Sequence, residues 1–362
     1  MGGFEMSNPM PPNDVLERLR GGVVIPAHPL ALDARRKLDE RHQRALTRYY
    51  CAAGAGGVAV GVHTTQFVIR DPRHGLFKPV IELASETVDE YAQRTATTVI
   101  KIGGICGGTR QALEEAAFLR ETGYHAGLLS LAALKDADVD GLMAHCEAVA
   151  EVLPIMGFYL QPAVGGRVLS VDFWRRFAAI ENVIAIKVAP FNRYQTFDVL
   201  RGVAEAGRAD DIALYTGNDD NIVIDLLTIH RICVGGRFAE LGFVGGLLGH
   251  WACWTRGAVQ MLEQCHAAVE SGKDIPQKLL TLASEITDAN GAFFDVRHAF
   301  AGCIAGIHEV LVRQGLMAGR WCLDPNEDLS PGQKEEIDRV YAAYPHLNDD
   351  EFIAQHRDEW MR

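Results

Sequence analysis

Asn182 to Asn192, N-V-I-A-I-K-V-A-P-F-N, is a short apolar run with one lysine set into it. Val183, Ile184, Ile186 and Val188, closed by Pro190, read as a strand buried on both faces, the pattern of parallel sheets. Lys187 falls near the C-terminal end of that strand. Burial disfavours an ammonium ion, so a lysine held there has a lowered pKa and can attack a carbonyl as a free amine. A lysine at a strand end can equally snorkel out to solvent. The stretch alone leaves both readings open, and the rest of the chain has to choose.

On either side of it, short branched runs alternate with helical patterns. Gly21 to Pro29 gives a first strand, and Leu38, His42, Ala45, Leu46 and Tyr49 recur at helical spacing before a second strand at 58–65. Then come a helix near 86–97, a strand at 98–104, a helix at 109–121, a strand at 125–131, a helix at 138–152 and a strand at 153–160. A helix capped by Ser170 precedes the lysine strand. A helix opened by Thr196, a strand at 212–217, a helix at 219–231 and a last strand within 237–244 follow. Eight such units demand a parallel sheet with right-handed crossovers, and over about 250 residues they predict an α/β fold, a closed (β/α)8 TIM barrel. The expected organisation is a loose lead-in over 1–20, the barrel over 21–273 with its last helix from Trp251 to Gly272, a C-terminal helical extension over 274–345, and a polar tail over 346–362 that is solvated or lies on a neighbouring subunit.

The totals narrow the function. The 362 residues, 48% of them hydrophobic, can bury a large core. No apolar run is long enough to span a bilayer, and Met1 to Pro12 lacks a signal-peptide pattern, so the cytoplasm is the default location. Eight cysteines without C-x-x-C spacing are expected to be reduced and mostly buried. A net charge of −12 without a basic cluster argues against nucleic acid and against anionic membrane. A small molecule, or another copy of the chain, is the expected partner. None of the thirteen histidines forms H-x-H or H-E-x-x-H, so no metal is expected. The run Gly103 to Thr109 lacks the G-K-[ST] ending of a P-loop and reads as a strand-to-helix turn. No cofactor is called for.

In a barrel of this kind chemistry gathers where strands end at the C-terminal face. The strand-final residues are His28, His63, Thr64, Thr65, Ser130, Tyr159, Lys187, the group Gly217, Asn218 and Asp219, and Glu240. A phenol next to the lysine can relay protons, and paired threonine hydroxyls can hold a carboxylate. A 2-oxo acid such as pyruvate would then place its carbonyl at Lys187 and its carboxylate at Thr64 and Thr65.

These residues carry a resemblance. The opening V-I-P-A-H-P, the paired threonines of G-V-H-T-T-Q-F, the tyrosine of G-F-Y-L-Q-P, the lysine of I-A-I-K, the T-G-N-D after it and the later V-R-Q-G-L resemble, in order and spacing over residues 20 to 335, the dihydrodipicolinate synthase and N-acetylneuraminate lyase superfamily of pyruvate-dependent class I aldolases. The resemblance implies a barrel with a C-terminal helical domain and a Schiff base between Lys187 and pyruvate. It implies Tyr159 as proton shuttle, carboxylate binding by Thr64 and Thr65, and a homodimer or homotetramer.

The departures concern the second substrate. Where the superfamily usually has G-T-T-G-E, this chain has His63 before the threonines and Gln66 and Phe67 after them. The arginine that grips a second carboxylate in dihydrodipicolinate synthases is Val164 here; Arg167 lies three residues late and substitutes only if the loop Gly165 to Gly166 folds back. The tyrosine lent across an interface has no counterpart after the fourth strand. A lyase acting on pyruvate or a related 2-oxo acid and an uncharged or aromatic aldehyde is therefore expected, with aspartate semialdehyde a poor substrate. The alternative is a non-catalytic 2-oxo acid binding or regulatory protein on the same barrel. His28 and His63 are candidate second-substrate contacts or structural histidines. Glu240 is a pocket acid or a helix-facing residue, and Trp251, Trp254 and Met261 read as core.

Overall fold

The structure is a computed structural model that describes residues 8–362. Nine strands form one sheet: β1 Val24–Pro26, β2 Gly57–Val60, β3 Ile100–Ile105, β4 Ala126–Leu129, β5 Ile155–Leu160, β6 Val183–Ala189, β7 Ala213–Thr216, β8 Ile229–Val234 and β9 Arg237–Leu248. All but β8 pair in parallel, in the order β1-β9-β7-β6-β5-β4-β3-β2. The ring closes between β1 and β2, where Ala27 bridges Ala59 and the His28 N–H donates to the Ala59 carbonyl at 2.8 Å. The result is a (β/α)8 barrel with C-terminal helices, as the alternation predicts.

Two layers of apolar residues follow from the period-2 alternation of strands. One fills the barrel interior with Ile25, Ile102, Leu128, Met156, Tyr215 and Leu247 among others. The other lies between strands and helices and includes Val183, Ile186 and Val188 of the lysine strand. Lys187 alternates with these outward residues and so points inward.

The floor of the barrel corrects one expectation. Residues 1–7 of the lead-in lie outside the described residues, but Asn13–Gly21 is a helix, not a loose segment. Its Val15 and Leu19 bury into the interior layer, and the Tyr215 hydroxyl donates to the Leu19 carbonyl at 2.8 Å. Spacing of 4 on a short helix is enough to plug a barrel whose walls supply the rest of the apolar contact.

The eighth parallel strand also differs. Its pairing part is Phe243 to Leu248, against β7 and β1, while Arg237 to Gly242 folds back on β8 as an antiparallel hairpin. The helix expected over 219–231 shrinks to Ile222–Leu227 because the branched run Ile229–Val234 becomes that extra strand. Glu240 is therefore not strand-final: it sits on the hairpin, exposed and facing Arg231 at 3.6 Å. Asn192, not Thr196, caps the helix after β6, its side chain accepting from the Tyr194 and Gln195 N–H groups. Ser170 caps the preceding helix as expected, accepting from Phe173 N–H.

Beyond the last barrel helix, Thr255–Glu270, helices Gln277–Phe293, Cys303–Arg313 and Gln333–Ala343 form the extension. The polar tail is not loose: it docks on its own chain while its charged face stays exposed. Asp350–Trp360 is a helix that packs on Glu40–Ala52, burying Ile353 and Trp360, while Asp349 accepts a 2.6 Å hydrogen bond from the buried Tyr49 hydroxyl. Three apolar contacts in an otherwise largely polar helix suffice, Phe352 adding to Ile353 and Trp360, because the outer face stays in water. Among the described residues no helix is long and apolar enough to cross a membrane.

Candidate active site

Lys187 projects into a small cavity at the C-terminal mouth of the barrel, about 60 Å³ of which is open to the centres of water molecules. His63, Thr64, Phe158, Val164, Gly217 and Asp219 share its walls, and Phe294, Phe300 and Cys303 of the C-terminal extension roof it. The amine lies 4.7 Å from the centre of the Phe158 ring. Burial pulls the Lys187 pKa down from the ordinary lysine range, opposed by the negative charge of Asp219.

A second buried lysine shows what is unusual here. Lys101 on β3 is as enclosed as Lys187, but its ammonium is held by the Asp89 carboxylate at 2.7 Å and the Ser85 hydroxyl at 3.0 Å. That is a satisfied structural cation. No such hydrogen bond or ion pair within 4.0 Å holds Lys187 among the described residues, which leaves its nitrogen lone pair available once deprotonated.

Of the strand-final residues read from the sequence, Lys187, His63, Thr64, Gly217 and Asp219 meet in this cavity. Thr65, Tyr159 and His28 do not line it, nor does Arg167. Thr65 is wholly buried: its hydroxyl donates to the His28 carbonyl at 2.6 Å and accepts from the Gly61 N–H at 3.0 Å, so it shapes the turn after β2 rather than facing a ligand. Thr64 lines the cavity with its hydroxyl proton directed to the Ala27 carbonyl at 2.7 Å, which leaves the oxygen lone pairs to accept. The next residue, Gln66, takes a positive φ of 66° where the superfamily's usual motif has glycine, and its side chain accepts from Leu323 N–H at 2.7 Å instead of entering the cavity.

Tyr159 is placed on the wrong face for a shuttle. In the β5–β6 ladder Phe158 is in register with Lys187 and Tyr159 with Val188, so Tyr159 shares the outward face of Val188. Its ring packs 5.2 Å from that of Trp174, and its hydroxyl accepts from Leu169 N–H at 3.2 Å. Burial raises its pKa. Arg167 does not substitute for the missing cation either. The Gly165–Gly166 turn does fold back, with Gly166 N–H donating to the Gln161 carbonyl at 3.0 Å, but the guanidinium donates to the Leu134 and Ala137 carbonyls in the loop after β4.

His28 is structural. Its Nε2 lies 2.9 Å from the Thr47 hydroxyl, its Nδ1 2.8 Å from the Pro29 carbonyl, and burial lowers its pKa to about 4. His250 and His308 are lowered to about 4 by the same cause. An unfolded histidine titrates at about 6.5, so between pH 6.5 and 4 the unfolded chain binds more protons and stability drops as the pH is lowered. Each such contribution is complete above the unfolded value and disappears toward the folded one. We expect His28→Gln to remove about 1.4 kcal/mol per pH unit from the slope of stability against pH between those values. Urea unfolding of both proteins at pH 7, 6 and 5 measures it, and parallel curves would disprove it; the difference between variants cancels the opposite contributions of Asp219 and Asp349, whose pKa values burial raises.

Asp219 is the residue that sequence reasoning touched without singling out. It faces the cavity, with Oδ1 accepting from His250 N–H at 3.2 Å and from the Asn290 side chain at 3.5 Å. Burial raises its pKa, opposed by Lys187. The loop that carries it is fixed by a polar network. Asn218 accepts from Phe191 N–H and donates to Asp225, which also receives the Thr216 hydroxyl and the Arg193 guanidinium. Gly217 is required by close approach: a Cβ there would stand 2.6 Å from Lys187 Cε. The roof is strained, since Asp295, Ala299 and Phe300 all take left-handed φ, at 54°, 52° and 70°. Such strain is commonest at functional sites.

The sequence model of the dihydrodipicolinate synthetase family matches residues 22–343, nearly the whole chain. The chain belongs to this family. A 4-hydroxy-tetrahydrodipicolinate synthase of Synechocystis sp. is 30% identical over 169 residues, 46% of this chain and 49% of that protein. Another, from Aromatoleum aromaticum, is 29% identical over 204 residues, 56% of this chain and 64% of that protein. The chain thus spans roughly half of these curated relatives. Among solved structures, the dihydrodipicolinate synthase of Oceanobacillus iheyensis aligns with a TM-score of 0.73 at 16% identity, covering 92% of this chain and 100% of that one. A prophage protein of the dihydrodipicolinic acid synthase family from E. coli K12, solved in complex with pyruvate, aligns with a TM-score of 0.69 at 18% identity over 90% and 97%. These structural likenesses show the fold.

Proposed function

We infer that this family member is a Schiff-base-forming class I aldolase or lyase in which Lys187 condenses with pyruvate or a related 2-oxo acid. The observation that carries the reading is a buried lysine with no counter-ion in contact among the described residues, at the mouth of the barrel, beside a hydroxyl oxygen of Thr64 able to accept and a buried carboxyl of Asp219. The free amine attacks the carbonyl carbon, and the protonated imine then serves as an electron sink for making or breaking the adjacent carbon-carbon bond. A pyruvate-bound structural relative supports this choice of substrate class.

The aldehyde partner is read from what the walls lack. Lys187 and the half-buried His63 are the cavity's basic residues among those described, and His63 is lowered to about 4 by burial and by the neighbouring Lys187 charge, so it is neutral near pH 7. Val164, Phe191, Phe294 and Phe300 give an apolar surround. A second carboxylate would be desolvated there without a cation, which favours an uncharged or aromatic aldehyde over aspartate semialdehyde.

Incubation with pyruvate and borohydride tests the core of the reading: peptide mass mapping should place a reduced adduct on Lys187. In the same preparation, neutral aldehydes should exceed aspartate semialdehyde in kcat/KM. No adduct, under conditions that trap a known family member, would sink the proposal. The outward Tyr159 favours a second reading, a barrel that binds 2-oxo acids without turnover. Such a protein would form the adduct yet leave the methyl protons of pyruvate unexchanged in deuterium oxide.

A further inference from the structure

Imine chemistry needs a group that hands a proton to a departing hydroxyl and then takes one from carbon. Tyr159 does not line the cavity, so the carrier must be sought among the residues that do. Thr64 spends its hydroxyl proton on the Ala27 carbonyl. The Cys303 thiol is pushed well above its ordinary range by burial, with Asp219 adding to the shift, and stays protonated. The His63 ring is held by no hydrogen bond among the described residues and is a weak base at its lowered pKa of about 4.

We propose that Asp219 is the catalytic proton carrier of the Lys187 reaction, its carboxyl fixed across the cavity by the His250 backbone N–H and the Asn290 side chain. The proposal rests on the lysine reading above. Both hydrogen bonds fall on Oδ1, and Oδ2 accepts none among the described residues, which leaves it available to a ligand. Asn290 comes from the C-terminal helix Gln277–Phe293 and His250 from the 3-10 turn His250–Ala252 just after β9, so the barrel and its extension together set the carboxyl's angle. Among the described residues the charged and titratable groups around it include Lys187, Asp220, Cys303, His63 and His250. Burial and the Asp220 charge favour the neutral carboxyl while Lys187 favours the carboxylate, and that balance suits a group that must do both jobs near neutral pH.

The proton balance closes within the pair. The Lys187 amine adds to the carbonyl carbon, the carbonyl π pair moves to oxygen, and that oxygen takes up the proton shed by nitrogen. The Asp219 carboxyl then protonates the hydroxyl, which leaves as water while the nitrogen lone pair forms the C=N bond, giving the protonated imine and an Asp219 carboxylate. The carboxylate next removes a proton from the methyl carbon. The C–H pair becomes the C=C bond, the C=N π pair returns to nitrogen, and the products are the enamine and a reprotonated Asp219.

Deuterium incorporation into pyruvate, read beside borohydride trapping on the full chain, tests the assignment. In Asp219→Asn, exchange should fall by about 10²-fold or more while the Lys187 adduct still forms. The pH profile of trapping should move to lower pH, because the carboxylate that keeps the amine protonated is gone. Asp219→Glu should retain measurable exchange. Tyr159→Phe, which removes only a hydroxyl bonded to the backbone outside the barrel, should exchange within about threefold of the parent. Undiminished exchange in Asp219→Asn with a normal adduct overturns the proposal. A loss in Tyr159→Phe of about 10²-fold with the adduct intact overturns it independently, whatever the fate of the Asp219 variants. Absence of an adduct in the parent enzyme is instead the failure of the lysine reading.

Discussion

On the proposed lysine chemistry, Lys187→Ala is expected to lose turnover by about 10⁴- to 10⁶-fold, the scale seen when a covalent nucleophile is removed, and to yield no borohydride adduct. The fold should survive, because Lys187 makes no ion pair or hydrogen bond whose loss would strand a buried partner among the described residues. Asp219 loses its neighbouring cation, which leaves burial to hold its carboxyl neutral. Lys187→Arg is expected to be as inactive as the alanine variant, since a guanidinium does not deprotonate in a protein and cannot attack a carbonyl. Steady-state kinetics with circular dichroism to confirm folding measures this. An adduct that persists in Lys187→Ala, or that maps to the ion-paired Lys101 in the parent enzyme, would show that the reactive amine has been misassigned.

The second large effect comes from a residue with no side chain. In Gly217→Ala the new methyl would fall 2.6 Å from Lys187 Cε and 2.7 Å from the Ala189 Cβ, closer than real carbon atoms approach. The lysine stem is the flexible neighbour, so it gives way and the amine leaves its place beside Phe158. A displacement of about 1 Å from the reacting carbon costs on the order of 10²-fold in rate. Overpacking of this kind also costs about 1–3 kcal/mol in stability. The expected signature is a fall in kcat with a lesser change in KM, and slower borohydride trapping on the same lysine. Unchanged kcat would mean that Gly217 serves only the turn after β7.

These two variants bracket the site from the side the sequence describes best. The run from Val183 to Ala189 is recognisable as a doubly buried strand because its branched residues are continuous, and a lysine within it stands out at once. The strand-helix alternation, the helix Thr109–Glu121 and the Ser170 cap are equally local, resting on periodicity and one side chain's reach to the next turn. From these the barrel follows, and with it the rule that places Lys187, Thr64, Gly217 and Asp219 at one mouth.

Tertiary structure decided which of two neighbouring residues faces the lysine. Tyr159 and Phe158 are both apolar and strand-forming, and nothing in their own sequence says which belongs inside. That choice is made by register with β6, where the pairing slips between Ile155 and Met156, an irregularity set by packing between strands separated by a helix. Thr64 and Thr65 part company for a like reason, since a 3-10 turn sends one hydroxyl to the cavity wall and folds the other into the turn itself. The roof of Phe294, Phe300 and Cys303, the plug made by Val15 and Leu19, and the docked helix ending at Trp360 depend on contacts across hundreds of residues. Periodicity shows that such faces are apolar. What they cover is fixed only when the closed barrel presents two open ends and a helical flank to be buried.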